Sequence, residues 1–217
     1  MLLHQPNPRT GSRVSASQED EALWTWLVRD WQWPYATLFA ATFLFALLPF
    51  IASGAGGLLA LVFVQLPIYM VHQWEEHAGD RFRRYANRVI GGGREALTPV
   101  ATFWINSLGV WGVDLLALYL AWTIAPAAGL VAGYLALVNS LLHIGPALVR
   151  REYNPGLVTA VVLFPFFGGW CVLKVGATCG LLPHLVALAA AIGIHLLIVA
   201  YVATRLARLR RQAASVA

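Results

Sequence analysis

Apolar residues run along this chain in six long stretches, at about 35–52, 57–78, 99–123, 127–149, 157–179 and 183–204. Short segments rich in charge, Gly or Pro separate them. An α-helix needs roughly 20 apolar residues to cross the hydrocarbon core of a bilayer, so the pattern predicts six transmembrane helices. Residues 1–18, with their Pro, Ser, Gly and Gln, read as a disordered tail. In 19–34 the helical spacing of Trp24, Leu27, Val28 and Trp31, with Trp26 and Trp33 nearby, marks an N-terminal interfacial helix in the headgroup region or the aromatic start of the first span. Between the second and third stretches, Phe82, Tyr85, Ala86 and Val89 form one face flanked by Arg81, Arg84 and Arg88. This segment is expected to continue the second span as an interfacial helix that Gly91, Gly92 and Gly93 end. Residues 205–217 form a basic tail, and no internal repeat is visible.

Composition narrows the class further. Of 217 residues, 59% are hydrophobic and 12% charged, against about 25% charged in a soluble domain. The chain lacks the charge to coat a water-facing surface, so any chemistry belongs to spans and short loops. The net charge of +5 comes mostly from Arg, and its placement alternates. The N-terminal segment, the loop after the second stretch, the loop after the fourth and the C-terminal tail carry all the Arg, while the other three loops carry none. By the positive-inside rule both termini are expected in the cytoplasm. The fold class is therefore all-α, a polytopic membrane bundle of six spans in 35–204. The Arg surplus is read as a topology signal facing lipid headgroups and not as a nucleic-acid surface. No cleavable signal peptide is visible in the first 22 residues. Cys171 and Cys179, about 12 Å apart on one helix at 1.5 Å per residue, are too distant for a disulfide.

Ionisable groups inside spans point to function by default. The densest cluster is His72-Gln73-Trp74-Glu75-Glu76-His77 at the end of the second stretch. His72, Glu75 and Glu76, three and four residues apart, share a helix face and place one imidazole and two carboxylates near a common ion. The competing reading is a snorkelling cluster satisfied by Arg81 or Arg84. His77 points elsewhere. The fourth stretch adds Asn139 and His143, the sixth His195 and the third Asn106 and Asp114. Counting 1.5 Å per residue from the cytoplasmic boundaries, His72, Asn106 and His143 lie about 11–12 Å deep, and Asn139 and His195 about 15–16 Å. Asp114 and Lys174 lie deeper and either pair with each other or leave Lys174 to snorkel outward. His195 fits either a helix-packing hydrogen bond or ligation.

The succession His72-x-x-Glu75-Glu76, Asn139-x-x-x-His143 and Asn154-Pro155-Gly156 resembles the HXXEE family of bacterial integral membrane proteins over about 57–205. The resemblance implies functional roles for His72, Glu75, Glu76, Asn139 and His143 and a place in the bacterial inner membrane, without implying a settled activity. Ferritin-like di-iron sites, with two Glu-x-x-His pairs, and the HxxEH pattern are not met here.

His and Glu donors suit a divalent metal ion, zinc or iron. The leading expectation is a membrane metalloenzyme with metal ligands among His72, Glu75, Glu76, His143 and His195. Glu75, Glu76 and Asn139 would serve catalysis, by hydrolytic or oxidative chemistry. Its partners would be membrane lipids and an apolar or lipid-like substrate reached from the cytoplasmic leaflet, whose anionic head Arg83, Arg88, Arg150 and Arg151 would hold. A transporter or channel using His and Glu as an ion or proton relay is the second expectation. An accessory membrane subunit is the third.

Overall fold

The computed structural model describes residues 25–26, 30 and 32–215, and the account below concerns 32–215. The expected tail at 1–18 and most of the Trp-rich segment lie outside the described residues. Trp33 and Pro34 open the first long helix. Six helices are long and apolar enough to cross a membrane: α1 (Trp33–Ala55), α2 (Gly57–Val89), α3 (Pro99–Thr123), α4 (Pro126–Arg150), α5 (Leu157–Gly176) and α6 (Leu181–Ala214). No strand occurs among the described residues.

Local chemistry sets the ends. Pro34 stands in the first turn of α1, where its missing N–H costs nothing. Gly56, with φ +88, ends α1 and reverses the chain into α2 in one residue. Thr98 caps α3 by accepting the Ala101 N–H at 3.1 Å, and Pro99 follows it. The expected continuation of the second span is interrupted: Gly79 and Asp80 both have left-handed φ, +62 and +61. The Arg81–Val89 stretch is a short helical segment that ends α2 beyond that break. α6 continues to Ala214, so the basic segment after residue 204 is mostly its last turns.

Polarity is distributed inside out. Phe39, Leu108, Leu142, Leu173 and Leu197 are exposed, whereas Gln65, His72, Gln73, Glu75, Glu76, His77, Asn106, Asp114 and His143 are buried. A bundle whose surroundings are lipid has this arrangement, because apolar side chains lose nothing by facing acyl chains. α2 is central, with 67% of its apolar window buried against 6% for α1 and 11% for α6. α1 packs on α2, and α6 on α4.

The core is built where α2, α4 and α5 meet. Ile68, Tyr69, Leu135 and Phe164 form one buried cluster, and Val62, Leu130, Cys171 and Val175 another. Small residues bring α4 and α5 together: a Cβ on Gly168 would stand 3.1 Å from the Gly133 carbonyl oxygen. That approach fixes α5 against α4 and brings its first turn to the polar end of α2. Cys171 and Cys179 are both free thiols.

Candidate metal centre

The centre is assembled from the last turns of the Gln65–His77 segment of α2, the second half of α4 and the turn into α5. Glu76 lies between two imidazoles. Its Oε2 is 3.5 Å from His72 Nε2 and its Oε1 is 3.6 Å from His143 Nε2. One ligand atom each from His72, Glu76 and His143 falls within 4.8 Å of the others, and all three residues are buried. Donors about 2.1 Å from a tetrahedral ion stand about 3.4 Å apart, near the two histidine–carboxylate distances, which reach different oxygens of Glu76.

The hydrogen-bond network fixes which ring nitrogens face the pocket. Asn154 donates Nδ2 to the His143 carbonyl at 2.9 Å, so its Oδ1 must accept from His143 Nδ1 at 2.6 Å. The Thr159 hydroxyl donates to Glu75 Oε2 at 2.5 Å and therefore accepts from His72 Nδ1 at 2.8 Å. Both imidazoles then carry hydrogen on Nδ1 and turn an Nε2 lone pair toward Glu76, an assignment made from the network. The Asn139 amide donates to His72 Nε2 at 3.1 Å. Both Nε2 atoms and the carboxylate thus converge, with the His72 lone pair met by the Asn139 amide, and a cation held here would take that amide's place.

Glu75, expected as a ligand, is placed elsewhere. Its Oε1 accepts from the Tyr153 hydroxyl at 2.9 Å and the Val158 N–H at 3.1 Å, and its Oε2 accepts from the Thr159 N–H at 2.7 Å. These are among the unpaired N–H groups at the start of α5, and a carboxylate there also meets the positive end of the helix dipole. Glu75 is a helix cap supplied from a neighbouring helix. The Tyr153 phenol, outside the spans, is raised above the usual tyrosine range, first by burial and then by its bond to Glu75.

Other expected residues separate from the cluster. His195 is not one of its three ligand residues; its Nδ1 donates to the Ala191 carbonyl of its own helix at 2.8 Å. Asn106 accepts from Gln73 at 3.0 Å, and Trp111 donates to the same Gln73, forming a separate α2–α3 network. Asp114 and Lys174 do not pair: both Asp114 oxygens are buried without a hydrogen-bond partner. His77, expected to point away, has its Nε2 3.0 Å from Glu76 Oε2, although the ring is not aligned for a hydrogen bond. It packs on Trp33 at 5.1 Å and on Phe82 at 5.7 Å.

The arginines of this loop do not neutralise the cluster, which the snorkelling reading required of Arg81 or Arg84. Arg81 donates to the carbonyls of Ala78 and Trp74, and Arg84 to that of Gly79, at the end of the broken helix. Arg83 pairs with Asp80 and Glu95, and Arg88 with Glu152. Phe82 lies 6.0 Å from the His143 ring, so the short Arg81–Val89 helix covers the centre.

Gly156 closes the remaining side. Its φ is +95, and a Cβ there would stand 2.8 Å from Cε1 of both His72 and His143. Below His72 the Phe164 ring lies 4.5 Å away, at the start of a π-helical turn in α5. Thr159 and Tyr153 carried no sequence signal except their place around a Pro-Gly helix start, where unpaired N–H groups gather.

A family model described as a protein of unknown function with HXXEE motif matches residues 63–171, just over half of the chain and all of the centre. No curated protein and no solved structure matches.

Proposed function

The chain belongs to the family of proteins with the HXXEE motif, and with that premise we propose that it is a membrane-embedded metal-dependent enzyme acting on a lipid-like or apolar substrate. His72, Glu76 and His143 hold one divalent ion, zinc or iron. The observation that carries this reading is the convergence of three buried acceptors, His72 Nε2, His143 Nε2 and the Glu76 carboxylate. Three protein ligands leave a coordination position open, the mark of a catalytic site and not of a closed structural one. When bound, such an ion supplies a Lewis acid able to bring the pKa of water to about 7.

The chain's own groups do the rest. Asn154 and the Glu75–Thr159 pair hold the two imidazoles in one tautomer and orientation. Asn139 places an amide donor at the pocket edge, where negative charge would develop. The exposed apolar exterior, Leu141 and Leu142 of α4 among it, is the medium from which an apolar substrate would arrive.

Transport is a second reading, favoured by one observation: Asp114 is 2% exposed and its carboxylate oxygens have no partner. A buried carboxylate of this kind suits an ion or proton path.

Metal analysis of the purified protein tests the first reading. About one divalent ion per chain is expected, lost in His72→Ala, Glu76→Gln and His143→Ala. Metal-free protein whose melting temperature ignores added zinc or ferrous iron would overturn it. Vesicle lipids incubated with wild type and Glu76→Gln, then compared by mass, test the enzymatic part; a product formed only by wild type is expected. No product, together with ion flux that requires Asp114, would establish transport instead.

A further inference from the structure

At the end of the bundle opposite the His/Glu centre, α1, α2 and α5 line an open groove of about 530 Å³. Leu48 and Ala52 of α1, Leu61 of α2, and Phe167 and Trp170 of α5 line it, and Lys174 is its one charged group. Trp170 and Lys174 are both exposed. The volume falls in the ordinary range of small-molecule sites, about 300–1,000 Å³.

Lys174 decides what the groove takes. It is the only lysine in the chain. It stands about 26 Å along α5 at 1.5 Å per residue, in a hydrocarbon layer about 30 Å thick. Lys174 lines the groove, and a four-carbon stem is long enough to span the remaining few ångströms to headgroup level. None of the ion pairs among the described residues includes Lys174. The connecting segments at that end, around Gly56, Ala125 and Thr178, contain no Asp or Glu. Among the described residues no counter-charge is supplied there, and the deeper Asp114 is shut in the core.

We propose that this groove is a binding site for one anionic phospholipid, its acyl chain lying between Leu48, Leu61 and Trp170 and its headgroup phosphate meeting Lys174. The apolar walls bind any acyl chain; the single ammonium gives the preference for net negative charge. One lysine near an anionic headgroup corresponds to a preference of about five-fold. The site lies outside the His/Glu centre and does not depend on the reading given to that centre.

Trp170 reports occupancy directly. The protein is reconstituted into vesicles in which either the anionic or the zwitterionic phospholipid carries brominated acyl chains, and the Trp170 component is taken as the difference between wild type and Trp170→Phe. Quenching is expected at about five-fold lower mole fraction of the anionic lipid. Lys174→Met should abolish that preference, and Lys174→Arg should keep it. Ala52→Phe, a change at an exposed groove position, should reduce quenching by both lipids while helical content stays constant. Equal quenching by the two lipids in wild type, or a preference that survives in Lys174→Met, would overturn the proposal.

Discussion

His72 and His143 come from different helices, yet their rings lie 4.9 Å apart at 84° and both turn Nε2 toward Glu76. Each is held from behind by a side chain on the turn into α5 or in its first turn, Thr159 for His72 and Asn154 for His143. The start of α5 is therefore the template on which the centre is oriented.

Glu75→Gln is expected to destabilise the protein while leaving its metal content near that of wild type. An amide in place of the carboxylate loses acceptor capacity against four donors, a loss of about 1–3 kcal/mol. Thermal melts paired with metal analysis distinguish this from ligation. Metal lost at an unchanged melting temperature would return Glu75 to the ligand set.

Asn154→Leu removes the acceptor that holds His143 Nδ1–H. Metal affinity is expected to fall about 10–100-fold, as for other groups that orient a ligating histidine. Competition with a chelator of known affinity reads the change, and an unaltered affinity would contradict the assigned orientation.

Gly156→Val adds a side chain at φ +95, against two imidazoles. Backbone strain and collision together should destabilise by at least about 2 kcal/mol. Added metal should restore less stability than in wild type, because the rings are displaced; full restoration in a metal titration of the melting temperature would refute the close approach.

Tyr153→Phe tests a pH dependence. The phenol's pKa is raised in the folded protein, so its hydrogen bond to Glu75 stabilises below the unfolded tyrosine range, pH about 10, and is lost as pH climbs through the raised folded value. Wild type should melt higher than the variant at pH 7, and the gap should close only in strong alkali. A gap that is already absent at neutral pH, measured in the same detergent, would show that the bond contributes nothing.

The amino-acid order determined more of this fold than of its chemistry. Six apolar stretches sufficed for six spanning helices, because span length is set by a bilayer thickness common to all membrane proteins. The His72-x-x-Glu75-Glu76 and Asn139-x-x-x-His143 spacings likewise marked where polar groups would collect. Spacing left open which glutamate faces the two imidazoles. On a helix advancing 100° per residue, positions three and four after His72 flank its direction on opposite sides, by about 60° and 40°. Glu76 turns to His143 and Glu75 to the N–H groups of α5, a division set by which neighbour packs on each side. Depth counted along the helices grouped Asn106 and His195 with the centre because depth contains no azimuth. Packing sent Asn106 to Gln73 and left His195 bonded to its own helix. Periodicity in the sequence defines each helix and the height of its polar groups; the rotation of one helix against another, fixed by close approaches such as that of Gly133 and Gly168, decides which of those groups meet.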